Sequence, residues 1–498
     1  MLFLLLVLCC FSVQAQQAPI IKNHLAFSYD DLLLPNNESM GLIGGNYLFG
    51  LNSNFYTGLG VYGAVKGKRG GFFTGGLDVG WRYFFFRNYF IDLNGFVGGG
   101  GGGSAPQGGG LMLRSAFDAG IKLKQSSIGI GYSYIEFPNG DISSHQFSIH
   151  YRYSFESFHF SGWSSNKSND AQWLKILSKR SLINPSQFSL QLTHYFPHDS
   201  VKVSGKKFDK RLDILGIRWR NKLNSKLWLE FETGGAMLGN IDGFAQVFSG
   251  ISYENQLGKN VYGNLGMLIG AAGGGDVNTG GGLVYRTFAG LGYRLNIHWS
   301  IASQIAWTSA LEGDFKAKTA LLNIVYHYKS FIPTSNLIKS TLSKVRSDMR
   351  WRRYRIRPGV QRYSHYYGSG RKNDSLKNQD VNLVNLKLDS FINSHFYVTG
   401  HALGAFGGEA GGYAVGLVGP GIQINPFLSA ELLGGVAGGG GIAVGSGQIA
   451  QPMLNISWPL SDQWGIEGSA GYIFAVNDKL SALVTNIGAI YRFRSPFI

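Results

Sequence analysis

The sequence predicts an all-β fold of transmembrane antiparallel β-barrels, made from three tandem copies of one eight-strand unit. Three observations predict it: ordered markers that recur at a nearly constant spacing, extended segments in which apolar and polar residues alternate, and aromatic residues at the ends of those segments. A barrel embedded in lipid requires an apolar outer face, a polar inner face and aromatic girdles at both interfaces.

The first element is an export segment. Residues 1–15, MLFLLLVLCCFSVQA, form an apolar core of signal-peptide length that ends with small residues at positions 13 and 15, although no Lys or Arg precedes it. Cys9 and Cys10 are the only cysteines and both lie in this removable segment. We therefore expect an exported mature chain without disulfides or cysteine metal sites, with lipid attachment at Cys10 as the less favoured alternative.

The repeats are defined by three markers in the same order. A serine followed ten residues later by Gly-Ala recurs at spacings of 172 and 169, beginning at Ser53, Ser225 and Ser394. A triple glycine begins at Gly108 and Gly280, with a degenerate version at 445–447. An aromatic, basic, aromatic triplet closes each copy: Tyr151-Arg152-Tyr153, Tyr326-His327-Tyr328 and Tyr491-Arg492-Phe493. The resulting division is a signal peptide at 1–15, barrel repeats at 16–155, 187–331 and 355–498, and basic linkers at 156–186 and 332–354.

Turn residues divide each copy into about eight extended segments. In the last segment of copy one, Phe147, Ile149 and Tyr151 alternate with Ser148 and His150. The segments contain about 10 to 16 residues, which is long enough to cross a bilayer when the strands are tilted. A secreted β-sandwich or solenoid is the alternative, but it predicts shorter strands and no aromatic residues at the segment ends.

The last strand carries a resemblance to a known class of proteins. Asn486, Gly488, Tyr491 and Phe493 follow a polar-x-Gly-x-x-aromatic-x-aromatic pattern that resembles the carboxy-terminal assembly signal of bacterial outer-membrane β-barrel proteins, here of the eight-strand type. The resemblance implies an integral location in the cell outer membrane, with outer-membrane lipids and the barrel assembly machinery as partners. Residues 494–498 extend beyond the usual terminal aromatic.

Eight strands per copy allow either three small barrels or one barrel of about 24 strands. Between copies the chain leaves the strand pattern for some 25 to 30 residues, where a continuous barrel would use a short turn. This favours three barrels, while the single complete assembly signal favours one.

The formal net charge of +16 indicates an anionic surface nearby. Basic and aromatic residues mix at the end of the second linker, where we expect lipid or protein-partner contact rather than nucleic acid, because an exported barrel rarely meets nucleic acid. The residues of this candidate surface are Arg350, Trp351, Arg352, Arg353, Tyr354 and Arg355.

Glycine-rich hairpins lie near 98–110, 273–282 and 438–447. They lack the Lys-Ser/Thr and the helix of a phosphate-binding loop. We expect glycine to permit sharp bending or close approach of another backbone; the alternative is an outer groove for an acyl chain or a partner. By strand parity these hairpins are extracellular.

We find no catalytic, cofactor-binding or metal-binding set. The hairpin from Ile130 to His145 resembles the corresponding hairpin of lipid A deacylases, eight-strand barrels with a Ser-His-Glu site, but the family's histidine falls on Gly131. Asp78 and Arg82, four apart on one strand face, are expected to pair in a lumenal charge network.

The sequence therefore predicts a non-enzymatic outer-membrane barrel protein with a structural, lipid-contacting or partner-docking role. The alternatives are a wide transport or secretion pore of about 24 strands and a lipid A-modifying enzyme. We expect no cofactor, and the partner-docking role implies a protein partner in addition to the lipids and the assembly machinery.

Overall fold

A computed structural model describes residues 20–163, 181–239, 241, 243–333, 350–364, 370–377 and 379–497. The expected signal peptide and most of both expected linkers lie outside these residues. Within the described ranges there is no α-helix long and apolar enough to cross a bilayer.

The chain forms three barrels in sequence order. The first contains β1 (Ile20–Leu34), β2 (Glu38–Gly50), β3 (Phe55–Lys66), β4 (Phe73–Phe85), β5 (Tyr89–Gly101), β6 (Leu111–Leu123), β7 (Ser126–Glu136) and β8 (Ser143–Phe158). A two-residue strand, β9 (Phe160–Ser161), follows.

The second barrel and a small outer hairpin contain β10 (Ser181–Pro197), β11 (Ser200–Val201), β12 (Lys207–Phe208), β13 (Leu212–Lys222), β14 (Leu227–Leu238), β15 (Ala245–Gln256), β16 (Val261–Gly273), β17 (Leu283–Arg294), β18 (Trp299–Ala310) and β19 (Lys316–Pro333). The third contains β20 (Arg350–Ser364), β21 (Val381–Phe391), β22 (Phe396–Gly407), β23 (Ala414–Gln423), β24 (Leu428–Gly438), β25 (Gln448–Pro459), β26 (Trp464–Ala475) and β27 (Ser481–Phe497).

Each barrel closes on itself, which confirms three small barrels. The first and last strands of each unit are antiparallel partners: β1 with β8, β10 with β19 and β20 with β27. The alternative of one barrel of about 24 strands is wrong, because these pairings satisfy within each unit the strand edges that a continuous wall would join to the next unit.

The barrels extend further into the expected linkers than the sequence indicates. The first ends at Phe158, the second begins at Ser181 and the third begins at Arg350, whereas the expected bounds are 155, 187 and 355. The additional residues continue the ladder: Arg350 lies opposite Phe497, and Ile20 lies opposite Phe158. Basic composition suggested a linker here, but strand pairing overrides it.

The two ends of the barrels are built differently. The joint end, as we call it, carries the turns after the second, fourth and sixth strand of each barrel, together with the joints between barrels. These turns are short, and in five of them an asparagine accepts hydrogen bonds from backbone N–H groups further along the turn: Asn52, Asn224, Asn296, Asn393 and Asn425. The hairpin end carries the remaining turns, including the glycine-rich ones.

The outer surface is apolar along the length of the strands. Exposed side chains on β7 and β8 include Ile130, Phe147 and Ile149, while Ser148 and His150, which alternate with them, are buried in the lumen. The two other barrels show the same alternation, for example Ile305 against Gln304. An apolar exterior around a polar lumen places the three barrels in a membrane.

Candidate functional site: three sealed lumens and the seams between them

The lumen of the third barrel is closed by an ion-pair network centred on Arg357. Its guanidinium donates to the carboxylates of Asp389 at 2.7 Å, Glu467 at 2.7 Å and Glu431. Lys387 donates to Glu431 at 3.0 Å. All five side chains are buried, so the network crosses the lumen and leaves its charges paired rather than available to a passing ion.

The first barrel has the same design with different partners. The carboxylate of Asp92 forms ion pairs with Arg82 at 2.5 Å and with Arg152 at 3.0 Å. Arg114 pairs with Asp30 at 3.1 Å. These side chains are buried as well.

The expected pairing of Asp78 with Arg82 is wrong, although both side chains lie in the lumen. Arg82 faces Asp92 across the β4–β5 ladder, where the two are in register. Cross-strand neighbours lie about 5 Å apart, whereas residues four apart on one strand are about 13 Å apart. Asp78 is buried, and one of its carboxylate oxygens has no hydrogen-bond partner among the described residues.

In the second barrel, the carboxylate of Glu230 forms ion pairs with Arg220 at 2.7 Å and with Arg218. Arg286 pairs with Glu232 at 2.5 Å. Charged residues thus bridge each lumen, and each network contains at least one arginine; in the third barrel Lys387 is a second cation. Sequence periodicity places these residues inside, but their partners depend on the register between strands.

A second layer lies nearer the hairpin end of each lumen. It consists of packed apolar and tyrosine side chains, such as Leu32, Met40 and Phe72 in the first barrel, Phe244 and Phe315 in the second, and Leu383, Leu433 and Ile473 in the third. This layer is packed like the core of a soluble protein. The sequence pattern predicts a polar lumen throughout. It misses the apolar layer because an apolar side chain that points into the lumen cannot be told from one on the outer face by alternation alone.

The glycine-rich hairpins lie where the barrels meet. Three equivalent contacts join a glycine after the third strand of one barrel to a hairpin glycine of another: Gly71 with Gly274, Gly243 with Gly439 and Gly412 with Gly102. A Cβ on Gly71, Gly243 or Gly412 would approach the partner's backbone nitrogen to 2.1, 2.9 or 2.9 Å. Each barrel therefore contacts both others in a closed ring.

Backbone hydrogen bonds cross two of these seams. Gly70 N–H donates to Gly280 O at 2.9 Å, and Gly412 N–H donates to Gly100 O at 3.0 Å. The expectation of a close backbone approach describes these contacts, whereas the alternative groove for an acyl chain is wrong at the seams because the neighbouring barrel fills it.

The barrels also meet at the joint end. Phe158, Phe160 and Phe331 form a buried cluster, against which Ile183 and Trp351 pack. Strand β9, just after the first barrel, pairs with β27 of the third. The chain that follows the first barrel therefore begins by pairing with the closing strand of the third barrel.

The candidate basic surface is divided by the structure. Arg355 is buried in the lumen and pairs with Asp389 at 2.5 Å, so its expected role in outer contact is wrong. Arg350 is exposed at the start of β20. Arg352, Trp351 and Tyr354 are partly buried, and the guanidinium of Arg353, also partly buried, lies 5.2 Å from the ring centre of Trp163.

The residues of the expected assembly signal lie on β27. Asn486 accepts a hydrogen bond from Asn385 at 2.7 Å inside the lumen. Gly488 lies opposite Gly359 on β20. Tyr491 packs on Trp464 and Phe493 stacks on Tyr354, both at the joint end. The structure thus places the pattern on the strand that closes the third barrel.

The deacylase-like hairpin does not assemble a nucleophile and a base. Ser133 donates to the Asp30 carboxylate at 2.6 Å inside the lumen. His145 lies on the opposite face of the strand pair and stacks on Tyr134. Within the described ranges, no three His, Cys, Asp or Glu residues are placed to hold a metal ion.

Comparison with known proteins found no matching family model and no matching curated protein. Among solved structures, the chain is similar to the ferric enterobactin receptor PfeA of Pseudomonas aeruginosa, with 8% identity over 97% of this chain and 82% of that one and a TM-score of 0.27. It is also similar to OpdQ of the same organism, with 8% identity over 95% of this chain and 97% of that one and a TM-score of 0.20. OccK8 of that organism gives 10% identity, coverage of 95% and 98% and a TM-score of 0.21.

The closed antiparallel barrels and their lipid-facing exterior are by themselves those of an integral outer-membrane β-barrel protein.

Proposed function

We propose that this protein is a non-enzymatic, non-conducting scaffold of the outer membrane, a ring of three sealed barrels that offers surfaces to lipids and to a protein partner. The observation that carries the proposal is the filling of all three lumens by an ion-pair layer and an apolar layer. A transport role would require a solute to displace both layers.

The energetic cost supports a permanently closed state. Removing one partner from a buried, hydrogen-bonded ion pair costs about 3–5 kcal/mol. Opening the third barrel would separate Arg357 from three carboxylates at once. A cost of this size makes an open state rare in the absence of a specific trigger.

The orientation is part of the proposal. An even number of strands returns the chain to the same side after each barrel, so both joints lie on one side of the membrane. We place the joint end in the periplasm and the glycine-rich hairpin end outside, because outer-membrane barrels have short periplasmic turns and longer outer loops.

The test is conductance of residues 16–498, refolded into a planar lipid bilayer, with a known porin in a separate bilayer as the positive control. Folding is verified by heat-modifiable gel migration. We expect no stable conductance steps from the folded protein. Steps whose frequency rises with the amount of folded protein would contradict the scaffold and favour transport.

The same preparation tests the enzymatic alternative. Vesicles containing phospholipid and lipid A should release no fatty acid during incubation. Release that disappears in Ser133→Ala, with unchanged folding, would contradict a non-enzymatic role.

A further inference from the structure

The two ends of the molecule differ strongly in charge. Among the described residues, the exposed or partly buried joint-end surface carries three acidic side chains, Glu156, Glu254 and Asp462, against twelve basic ones. The basic residues are Lys22, Arg87, Lys122, Lys124, Lys222, Lys226, Lys259, Arg294, Lys329, Arg350, Arg352 and Arg353. We call these twelve residues the basic ring.

The hairpin end has basic residues too, but acidic residues accompany them. Lys66 pairs with Asp31 at 2.7 Å, and Arg69 pairs with Glu38 at 2.6 Å. Arg362 likewise pairs with Asp380. Much of the formal net charge of +16 is therefore concentrated at the joint end.

The basic ring shares its level with exposed apolar residues. Eight joint-end turns carry a large apolar side chain at or next to their first residue, and its exposed fraction lies between 52% and 85%. These residues are Phe86, Leu123, Leu223, Leu257, Leu295, Ile392, Ile424 and Leu460. Apolar tips on nearly every turn are unfavourable in water but favourable at the boundary between headgroups and acyl chains.

Several long basic side chains of the ring lie over aromatic rings. Lys226 lies 5.4 Å from the ring centre of Tyr253, and Arg294 lies 5.7 Å from that of Tyr262. Aromatic residues and basic side chains with buried stems are typical of proteins at the headgroup level. The turns of the joint end therefore have the composition of a surface immersed in headgroups.

From this arrangement we infer that the basic ring binds the phosphate headgroups of anionic phospholipids, an inference that rests on the lipid-contacting role proposed above. The ring has members on all three barrels, for example Arg87 and Lys259 in turns of the first and second and Arg350 at the start of β20 in the third. A protein partner would approach from one side, whereas a lipid leaflet surrounds the molecule. Each lysine or arginine near an anionic membrane surface adds to the attraction.

The experiment measures lipid selectivity of the full chain, residues 16–498, in bilayers of phosphatidylcholine doped with spin-labelled lipid. Electron paramagnetic resonance gives the relative association of labelled phosphatidylglycerol and labelled phosphatidylcholine with the protein surface. We expect several-fold preference for phosphatidylglycerol, which falls as salt is raised because ionic screening shortens the range of the attraction.

Two matched sets of exposed residues separate the basic ring from net charge alone. The joint-end set is Lys124→Gln, Lys226→Gln, Lys259→Gln and Arg350→Gln; the hairpin-end set is Lys68→Gln, Lys206→Gln, Lys210→Gln and Lys479→Gln. The joint-end set should lose most of the preference and the hairpin-end set should keep it, with both folded by gel migration.

Equal association of the two lipids with the wild-type protein would overturn the inference. So would an equal loss in both sets, or a preference that survives in the joint-end set. Binding of a soluble polyanion without any preference for phosphatidylglycerol would assign the ring to a cell-wall or other polymer instead. Conductance of the same bilayers is recorded separately, because a protein that conducts yet prefers phosphatidylglycerol would refute the sealed scaffold and leave this inference intact.

Discussion

At the scale of single residues, the lumens show how one side chain can organise a barrel interior. Arg357 satisfies carboxylates from β21, β24 and β26, so it connects strands that are not neighbours in the third barrel. A planar guanidinium suits this task because it presents five N–H donors in a rigid fork, whereas a lysine ammonium presents three donors from one point.

We expect Arg357→Ala to lower the free energy of unfolding by about 3–5 kcal/mol, because three buried carboxylates lose their shared partner. Urea unfolding of the protein in lipid vesicles, followed by tryptophan fluorescence, measures the change. The control is Arg87→Ala, an exposed turn residue, which should change stability by no more than about 0.5 kcal/mol. Equal effects of the two substitutions would show that the network contributes nothing specific.

The residue scale also shows where sequence reasoning stops. Alternation was sufficient to place Asp78, Arg82 and His150 inside the first barrel. It could not pair Arg82 with Asp92, since that contact depends on the register of β4 against β5. The burial of Arg355 was missed because it lies in a run of arginines that resembles an exposed basic segment.

At the scale of strands, β27 combines closure and the carboxy-terminal tail. The tail beyond Phe493 extends past the usual terminal aromatic of the assembly pattern. It continues the strand and pairs with the start of β20, where Ser495 lies opposite Arg352. Beyond the end of β26 the same segment pairs with β9 from the first joint. Both sides of the tail are thus occupied by strands.

We expect Phe493→Ala to reduce the folded fraction in the outer membrane several-fold, because the assembly machinery is proposed to read the last strand. The matched control is Tyr153→Ala, which changes the equivalent aromatic in the triplet that closes the first barrel. Quantitative blotting of heat-modifiable protein in outer-membrane fractions distinguishes them. A similar loss for both substitutions would indicate a structural effect of the aromatic girdle rather than recognition of the terminal strand.

At the scale of the whole molecule, the repeats predict three similar units but not how they meet. The long joints favoured separate barrels, and strand closure confirms them. The sequence predicts a close backbone approach at the glycine-rich hairpins but not which backbone comes close, because glycine serves equally to bend its own strand and to admit a neighbouring barrel. Gly71, Gly243 and Gly412 occupy equivalent positions in the three copies. This recurrence was the available signal of contacts between barrels, because each copy supplies one of these glycines to a neighbouring barrel.

A substitution at one seam should separate the first and third barrels. On Gly99 a Cβ would lie 2.7 Å from Gly404 O and 2.9 Å from Ala405 O, so Gly99→Val should push the two backbones apart. Gly95→Val is the control on the same strand, where the nearest atoms to a Cβ lie 3.8 and 4.0 Å away.

Nitroxide labels at Asn139→Cys and Lys479→Cys, exposed on the first and third barrels, report the separation by double electron–electron resonance. Gly99→Val should lengthen and broaden the distance distribution, whereas Gly95→Val should leave it unchanged. An unchanged distribution in Gly99→Val would mean that the seam does not set the arrangement of the barrels.

Joining the three barrels in one chain has a further consequence for how the three-barrel assembly forms. A trimer of separate subunits forms only above a threshold abundance, whereas covalent linkage makes the encounter intramolecular and independent of expression level. It also frees the copies from being identical, and the three lumens already use different partners for their arginines. The ring can therefore present three chemically distinct faces in a fixed order and at fixed stoichiometry, which identical subunits cannot do.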